Sequence, residues 1–309
     1  MKKRRTFMFL FLLVVVWSPS EVVSEVGSQP TIYWTAPRRI DTAQLTNLRN
    51  LNIQSIVNMG LNGPYDIALD TQRDKIYWTV TGKIQRANLD GPNARNVITG
   101  LYYPRYIALD VIASKVYWIQ GTTPGLRGLF KHKICCANLD GTDVQDLISG
   151  LNSPRSIALN MQEGKMYWTE GTSETKGRRF GEIWIEGTPH TAKIRRANLD
   201  GTEIQDVITT GDYPYGIALD LINGKIYWTE YNFDSGRIRC ANLDGTNVQD
   251  LVDGLNNPND IALDMESDKM YWIDTRSNKI QSANLHGIGV QDVINGVFGY
   301  GSIAVVRSK

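Results

Sequence analysis

The dipeptide Tyr-Trp occurs six times in this chain, at Tyr33-Trp34, Tyr77-Trp78, Tyr117-Trp118, Tyr167-Trp168, Tyr227-Trp228 and Tyr271-Trp272. Successive copies are 44, 40, 50, 60 and 44 residues apart. Self-similarity at a period of roughly 20–50 residues marks an architecture in which each unit buries its apolar face only against its neighbours. Six units of just over 40 residues account for nearly all of the 309 residues, so the repeat dictates the fold.

Each unit contains four short segments rich in β-branched and aromatic residues and bounded by turn residues. In one copy they read PYDIALD (64–70), KIYWT (75–79), KIQRA (83–87) and NVIT (96–99). Such segments predict four strands. The turn between the third and fourth is Asn-Leu-Asp-Gly at Asn88–Gly91, Asn138–Gly141, Asn198–Gly201 and Asn242–Gly245, and Asn-Leu-His-Gly at Asn284–Gly287. Its glycine supplies the positive φ of a tight hairpin. A four-stranded antiparallel meander repeated radially is a β-propeller blade, and six copies predict an all-β, six-bladed propeller.

The IALD, YWT and ANLDG elements at this spacing resemble the class B, or YWTD, repeats of the low-density lipoprotein receptor family, which form six-bladed propellers. The resemblance covers roughly residues 31–306. The fourth letter departs from the family pattern, because the six copies read YWTA, YWTV, YWIQ, YWTE, YWTE and YWID, leaving the Asp only at Asp274. A structural role of that Asp therefore does not transfer to the other five units. The resemblance implies a module that binds protein ligands. The cysteine-rich modules and membrane span of the receptors are not found beside it, so the chain looks more like a stand-alone exported propeller than an endocytic receptor.

The first unit lacks its innermost strand, since the chain enters directly at Thr31–Thr35, and the C-terminus ends on an orphan strand at Ser302–Val306. The two fragments are expected to share one blade and so remove the free edges of an open array. One ring of each Tyr-Trp pair is expected between neighbouring blades, which makes Trp34, Trp78, Trp118, Trp168, Trp228 and Trp272 scaffold residues. Asp70, Asp110, Asp220 and Asp264, with Asn160 in the equivalent place, recur at the ends of first strands as scaffold residues would.

Lys2, Lys3, Arg4 and Arg5 precede an apolar run from Phe7 to Trp17 and a small-residue stretch near Ser24. This is the order of a secretory signal peptide, and the run is about half the length of a membrane span. The expected organisation is a signal peptide at 1–24, a linker at 25–30 and the propeller at 31–309. The product would be secreted, or periplasmic and envelope-associated, with no membrane span after cleavage. Losing those four cations and Glu21 takes the formal net charge from +1 to −2, which gives no attraction for nucleic acid. Three cysteines, Cys135, Cys136 and Cys240, are too few and odd in number for a disulfide framework and read as small buried side chains. The expected state is a monomer.

Connections from the fourth strand to the next first strand lie on the same face as those from second to third. Insertions at Gly121–Lys131, Gly171–Thr191 and Tyr231–Ser235 fall on that face in consecutive units and predict a raised wall. The residues flanking each Pro turn also lie there and vary between units. They make Tyr65, Asp66, Tyr103, Arg105, Tyr106, Arg155, Tyr215, Asn259, Asp260 and Tyr300 the candidate ligand contacts around a channel mouth. Tyr and Arg offer large contact area with a polar handle. The blander alternative is that the aromatics merely cover their turns. Trp184, in the longest insertion, is either an exposed contact or the cap of its own hairpin.

His132, His190 and His286 have no metal-ligand spacing and read as isolated surface histidines, so no metal is assigned. No nucleophile elbow, phosphate loop or dinucleotide fingerprint occurs. The expectation is a non-enzymatic binding module for a protein, peptide or glycan, with no cofactor beyond an open question of a channel calcium ion. Two alternatives stand: a metal-dependent hydrolase or lactonase using Asp66, Asn259 and Asp260 at the channel, and a passive structural envelope protein.

Overall fold

The computed structural model describes residues 28–46, 51–58, 63–121, 131–171, 192–232, 235–299 and 301–307. Among these, the regular elements are 24 strands in six four-stranded antiparallel sheets. Blade 1 holds β1 (Pro30–Ala36), β2 (Arg39–Gln44) and β3 (Ile53–Val57). Blade 2 holds β4 (Ile67–Asp70), β5 (Lys75–Val80), β6 (Lys83–Asn88) and β7 (Arg95–Thr99). Blade 3 runs through β8 (Pro104–Asp110), β9 (Lys115–Gly121), β10 (His132–Asn138) and β11 (Gln145–Leu151). Blade 4 runs through β12 (Pro154–Asn160), β13 (Lys165–Glu170), β14 (Ala192–Asn198) and β15 (Gln205–Thr210). Blade 5 comprises β16 (Tyr213–Asp220), β17 (Lys225–Tyr231), β18 (Gly236–Asn242) and β19 (Gln249–Leu255). Blade 6 comprises β20 (Pro258–Asp264), β21 (Lys269–Asp274), β22 (Lys279–Asn284) and β23 (Gln291–Asn295), and the last strand is β24 (Ile303–Arg307).

The closing blade is as expected from the sequence: β24 pairs antiparallel with β1, from Pro30 opposite Arg307 to Trp34 opposite Ile303, giving the order β24-β1-β2-β3. Arg307 locks the end of β24. Its guanidinium donates to both Asp264 carboxylate oxygens of blade 6, at 2.9 and 3.0 Å, and to the Ser28 carbonyl.

Six apolar clusters lie between blades rather than within them, and each contains the Tyr of one repeat and the Trp of the next. Tyr33 meets Trp78, Tyr77 meets Trp118, Tyr117 meets Trp168, Tyr167 meets Trp228, Tyr227 meets Trp272, and Tyr271 meets Trp34. Both rings of every pair are therefore interfacial, where the sequence argument assigned only one. The reason is strand alternation: adjacent side chains point to opposite faces, and in a propeller both faces of a blade are covered. The six tryptophans are buried, none more than 2% exposed.

A buried indole N–H must find an acceptor, and in blades 2 to 6 it does so in one of two ways. Where Gln stands directly across from the Trp, it accepts: Gln85 from Trp78 and Gln281 from Trp272. Where Cys135, Arg195 or Arg239 stands there, the fourth letter of the motif accepts instead: Gln120 from Trp118, Glu170 from Trp168 and Glu230 from Trp228. The departures from the family's fourth letter thus track the cross-strand partner. Asp274 is relieved of the indole and accepts from the backbone N–H groups of Asn256, Asn257 and Ser277.

The turn glycine reaches the neighbouring blade. A Cβ at Gly201 would lie 2.7 Å from the Leu147 carbonyl oxygen in the outer strand of blade 3, and Gly91, Gly141, Gly245 and Gly287 meet the preceding blade in the same way. On the same face, Asp70, Asp110, Asn160 and Asp220 accept N–H bonds from their own first hairpins, at 2.8–3.1 Å. Cys135, Cys136 and Cys240 are buried free thiols.

Candidate functional site

Each inner strand starts on the opposite face, where two residues after the Pro turn approach the axis. The pairs are Tyr65-Asp66, Arg105-Tyr106, Arg155-Ser156, Tyr215-Gly216, Asn259-Asp260 and, in the closing blade, Gly301-Ser302. Gly121 and Gly171, which open the first two insertions, donate backbone N–H bonds to the carbonyls of Tyr103 and Ser153. The insertions therefore leave from this mouth face. Trp184, Tyr300 and nearly all of the insertion residues lie outside the described residues.

The first members of these pairs form two cation–aromatic stacks. The Arg105 guanidinium lies 5.0 Å from the Tyr65 ring centroid, and that of Arg155 lies 4.6 Å from the Tyr215 centroid. Each stack bridges two adjacent blades. Among the described residues, Arg39, Arg73, Arg195, Arg237, Arg239 and Arg307 form ion pairs with carboxylates, and Arg105 and Arg155, like Arg38, Arg86, Arg95, Arg196 and Arg276, do not. Stacking holds the flat guanidinium and leaves its N–H edge free for a bidentate oxyanion.

Tyr106 lies between the stacks. Burial pushes its hydroxyl above the usual range, partly offset by Arg155 and Arg105. Tyr103 is 47% exposed, packs edge-on against Tyr102 at 4.8 Å between centroids, and holds φ at +46°. A bulky side chain is uncommon in that left-handed region, and such strain gathers at binding sites.

His132 is misjudged by the sequence. It starts β10 and is half-buried at this mouth, with a buried Nδ1 that has no hydrogen-bond partner among the described residues. Burial, then Arg105 and Arg155, pull its pKa down, with Glu170 opposing. The ring is neutral at physiological pH and offers a nitrogen lone pair or an N–H. Its flanking sequence differs little from that of its repeat equivalents, and what sets it apart is its burial beside Arg105 of its own blade and Arg155 of the next. His286 is exposed in a turn on the far face.

Asp66 and Asp260 are less open than the sequence suggests. Asp66 accepts from the N–H groups of Ile67 and Ile107, at 2.8 and 2.7 Å, and from the Ser302 hydroxyl. Asp260 accepts from Ile261 and Ile303 N–H, at 2.9 and 3.0 Å, and Asn259 donates to the Gly301 carbonyl at 2.9 Å. These side chains join strands across blades, which is a sufficient reason for their residue types. No cluster of three or more His, Cys, Asp or Glu side chains suited to a metal ion occurs among the described residues.

No protein-family model matches the chain. Among solved structures, it superposes on a chain of the nidogen/laminin complex with a TM-score of 0.71 and 21% identity, over 89% of this chain and 98% of that one. Two others are a putative TolB from Agrobacterium tumefaciens (0.56, 11% identity, 74% and 89% coverage) and TolB from Acinetobacter baumannii (0.66, 11% identity, 90% and 66% coverage). The fold is that of a six-bladed propeller. These likenesses carry the fold and leave its chemistry to the residues themselves.

Proposed function

We propose that this chain is an exported, monomeric YWTD-type binding module that takes a carboxylate-bearing segment of a protein partner at the channel mouth. The observation that carries this reading is the pair of stacked arginines, Arg105 on Tyr65 and Arg155 on Tyr215, which have no carboxylate partner of their own among the described residues. Tyr103, Tyr106 and His132 supply aromatic area and polar edges beside them. The fold shared with a chain of a protein–protein complex agrees with a binding role. Asp66 and Asp260 act here as strand-joining groups and not as a hydrolytic pair.

Peptides rich in Asp and Glu, and the same peptides with Asn and Gln, are the direct probes, read by fluorescence anisotropy. Acidic peptides are expected to bind, and the amide versions to bind at least tenfold more weakly. Arg105→Ala and Arg155→Ala should each weaken binding about 10- to 100-fold, the scale of a charge-assisted hydrogen bond, with Tm unchanged. Equal binding of acidic and amide peptides, or indifference to both substitutions, would sink the assignment.

A further inference from the structure

On the face opposite the channel mouth, the second strand of each of blades 2 to 6 starts with a lysine: Lys75, Lys115, Lys165, Lys225 and Lys269. The residue paired with it on the third strand is the Asn of the Asn-Leu-x-Gly turn. Lys75 donates to the Asn88 oxygen and Lys225 to the Asn242 oxygen, both at 2.6 Å, and Lys165 donates to Asn198. Lys115 pairs with Asp143 at 3.1 Å. Lys269 has no such partner among the described residues, and the turn sequence gives the cause. Blades 3, 4 and 5 read Asn-Leu-Asp-Gly-Thr, and the Asp carboxylate accepts the Thr N–H at 2.9 Å. Blade 6 reads Asn-Leu-His-Gly-Ile, which lacks that acceptor. The N–H groups of His286 and Ile288 turn to the Asn284 oxygen instead, at 3.1 and 2.8 Å. Both lone pairs of that oxygen are then taken, and Lys269 is released.

Lys269 lines a cavity of about 80 Å³ at the seam between blades 6 and 1. Ser282 helps to make the room, because it stands where blades 2 and 4 carry Arg86 and Arg196. The first unit also has no glycine between Ala43 and Asn52 to bring its outer turn tight against blade 6. The other polar residues of the lining are Gln29, Tyr271, Ser282 and Gln291, and no Asp or Glu lines it among the described residues. Gln291 donates to the Ser282 oxygen at 3.3 Å, which leaves the Ser282 O–H to be donated elsewhere. Burial, then the Asp264 charge, pushes the Tyr271 hydroxyl up to about 12, so it also stays a donor. Asp264 itself is held by Arg307 at 2.9 and 3.0 Å. We propose that this seam cavity binds a small inorganic oxyanion of the phosphate or sulfate type, held by the Lys269 ammonium and neutral hydroxyl and amide donors. A compact ammonium without a carboxylate of its own, ringed by donors, suits a tetrahedral anion. At about 30 Å³ per water, the cavity has the room of about two or three waters, enough for one such ion. The site lies at the other end of the blades from the arginine-bearing mouth and does not depend on it.

An anion there joins blade 6 to Gln29, at the entry of β1, and so stabilises the seam where the two ends of the chain meet. Isothermal titration calorimetry of the full chain with inorganic phosphate, at an ionic strength held constant with chloride, tests this. Phosphate is expected to bind and, at about 20 times its Kd, to raise Tm by roughly 4–7 °C. Lys269→Met should weaken binding roughly 10- to 100-fold. The double change His286→Asp with Ile288→Thr alters no lining residue and sits in an exposed turn. It copies the turn of blade 5, returns the Asn284 oxygen to Lys269, and should weaken binding to the same degree, which keeps the test decisive if Lys269→Met fails to fold. Arg105→Ala should leave phosphate binding at the seam unchanged. No binding by the wild type, binding unaffected by the turn exchange, or binding lost in Arg105→Ala but kept in Lys269→Met would each overturn the assignment.

Discussion

Gly201 turns between the third and fourth strands of blade 4 with φ at +86°, and a Cβ there would sit 2.7 Å from the Leu147 carbonyl oxygen and 3.0 Å from its carbon. Both are backbone atoms of the preceding blade, so no rotamer change relieves the contact. Gly150 is the matched control, with φ at +81° and open space around the same added atom. Gly150→Ala incurs the left-handed backbone cost alone, about 1–2 kcal/mol. Gly201→Ala adds forced separation of two blades, on the scale of overpacking, about 1–3 kcal/mol. The effect on the unfolded chain is common to both and cancels in the comparison. At about 2–4 °C per kcal/mol for a domain of this size, Gly201→Ala should melt roughly 2–12 °C below Gly150→Ala. Differential scanning calorimetry of the two variants measures this difference directly. Equal melting temperatures would show that the turn glycine serves only its own φ and that the blades do not abut there.

Glu170→Ala removes the acceptor of the buried Trp168 N–H and the ion-pair partner of Arg195, and should cost about 2–4 kcal/mol in urea unfolding. The double change Glu170→Val with Arg195→Gln copies the Val80 and Gln85 arrangement of blade 2 and should recover most of that loss; a double-mutant cycle with no coupling would reject the acceptor-exchange account. The thiols of Cys135, Cys136 and Cys240 are buried, and burial pushes all three pKa values up. They should react with a thiol reagent only at the rate of unfolding, and rapid labelling of the native protein would contradict the packing described.

The fold was legible because its signals are local and repeated. Asp-Gly turns and strand alternation each act within about ten residues, and six copies of the Tyr-Trp unit make the count secure. The orphan strand at each end likewise announces a shared blade. The mouth was legible only as a set of positions: which face the Pro turns share follows from strand direction, and Arg105, Arg155, Tyr65 and Tyr215 stand out there by residue type. Their pairing did not, because Arg105 stacks on a tyrosine of one neighbouring blade and Arg155 on a tyrosine of the other. His132 read as a surface residue for the same reason, since its burial comes from the residues around it and not from its own flanks.

What the sequence by itself determined is the unit and its number, because hydrogen-bonded hairpins and alternating burial are decided between residues close along the chain, and the orphan strand at each end then marked the shared blade. What only the tertiary structure decided is everything made between blades: the second interfacial ring of each Tyr-Trp pair, the exchange of indole acceptors, the stacked arginines, and the meeting of Asp66 with Ser302 across 236 residues of chain. A repeat pattern states that neighbours must pack, but closing the circle brings residues of unrelated sequence position within a few ångströms, and no local signal encodes that distance.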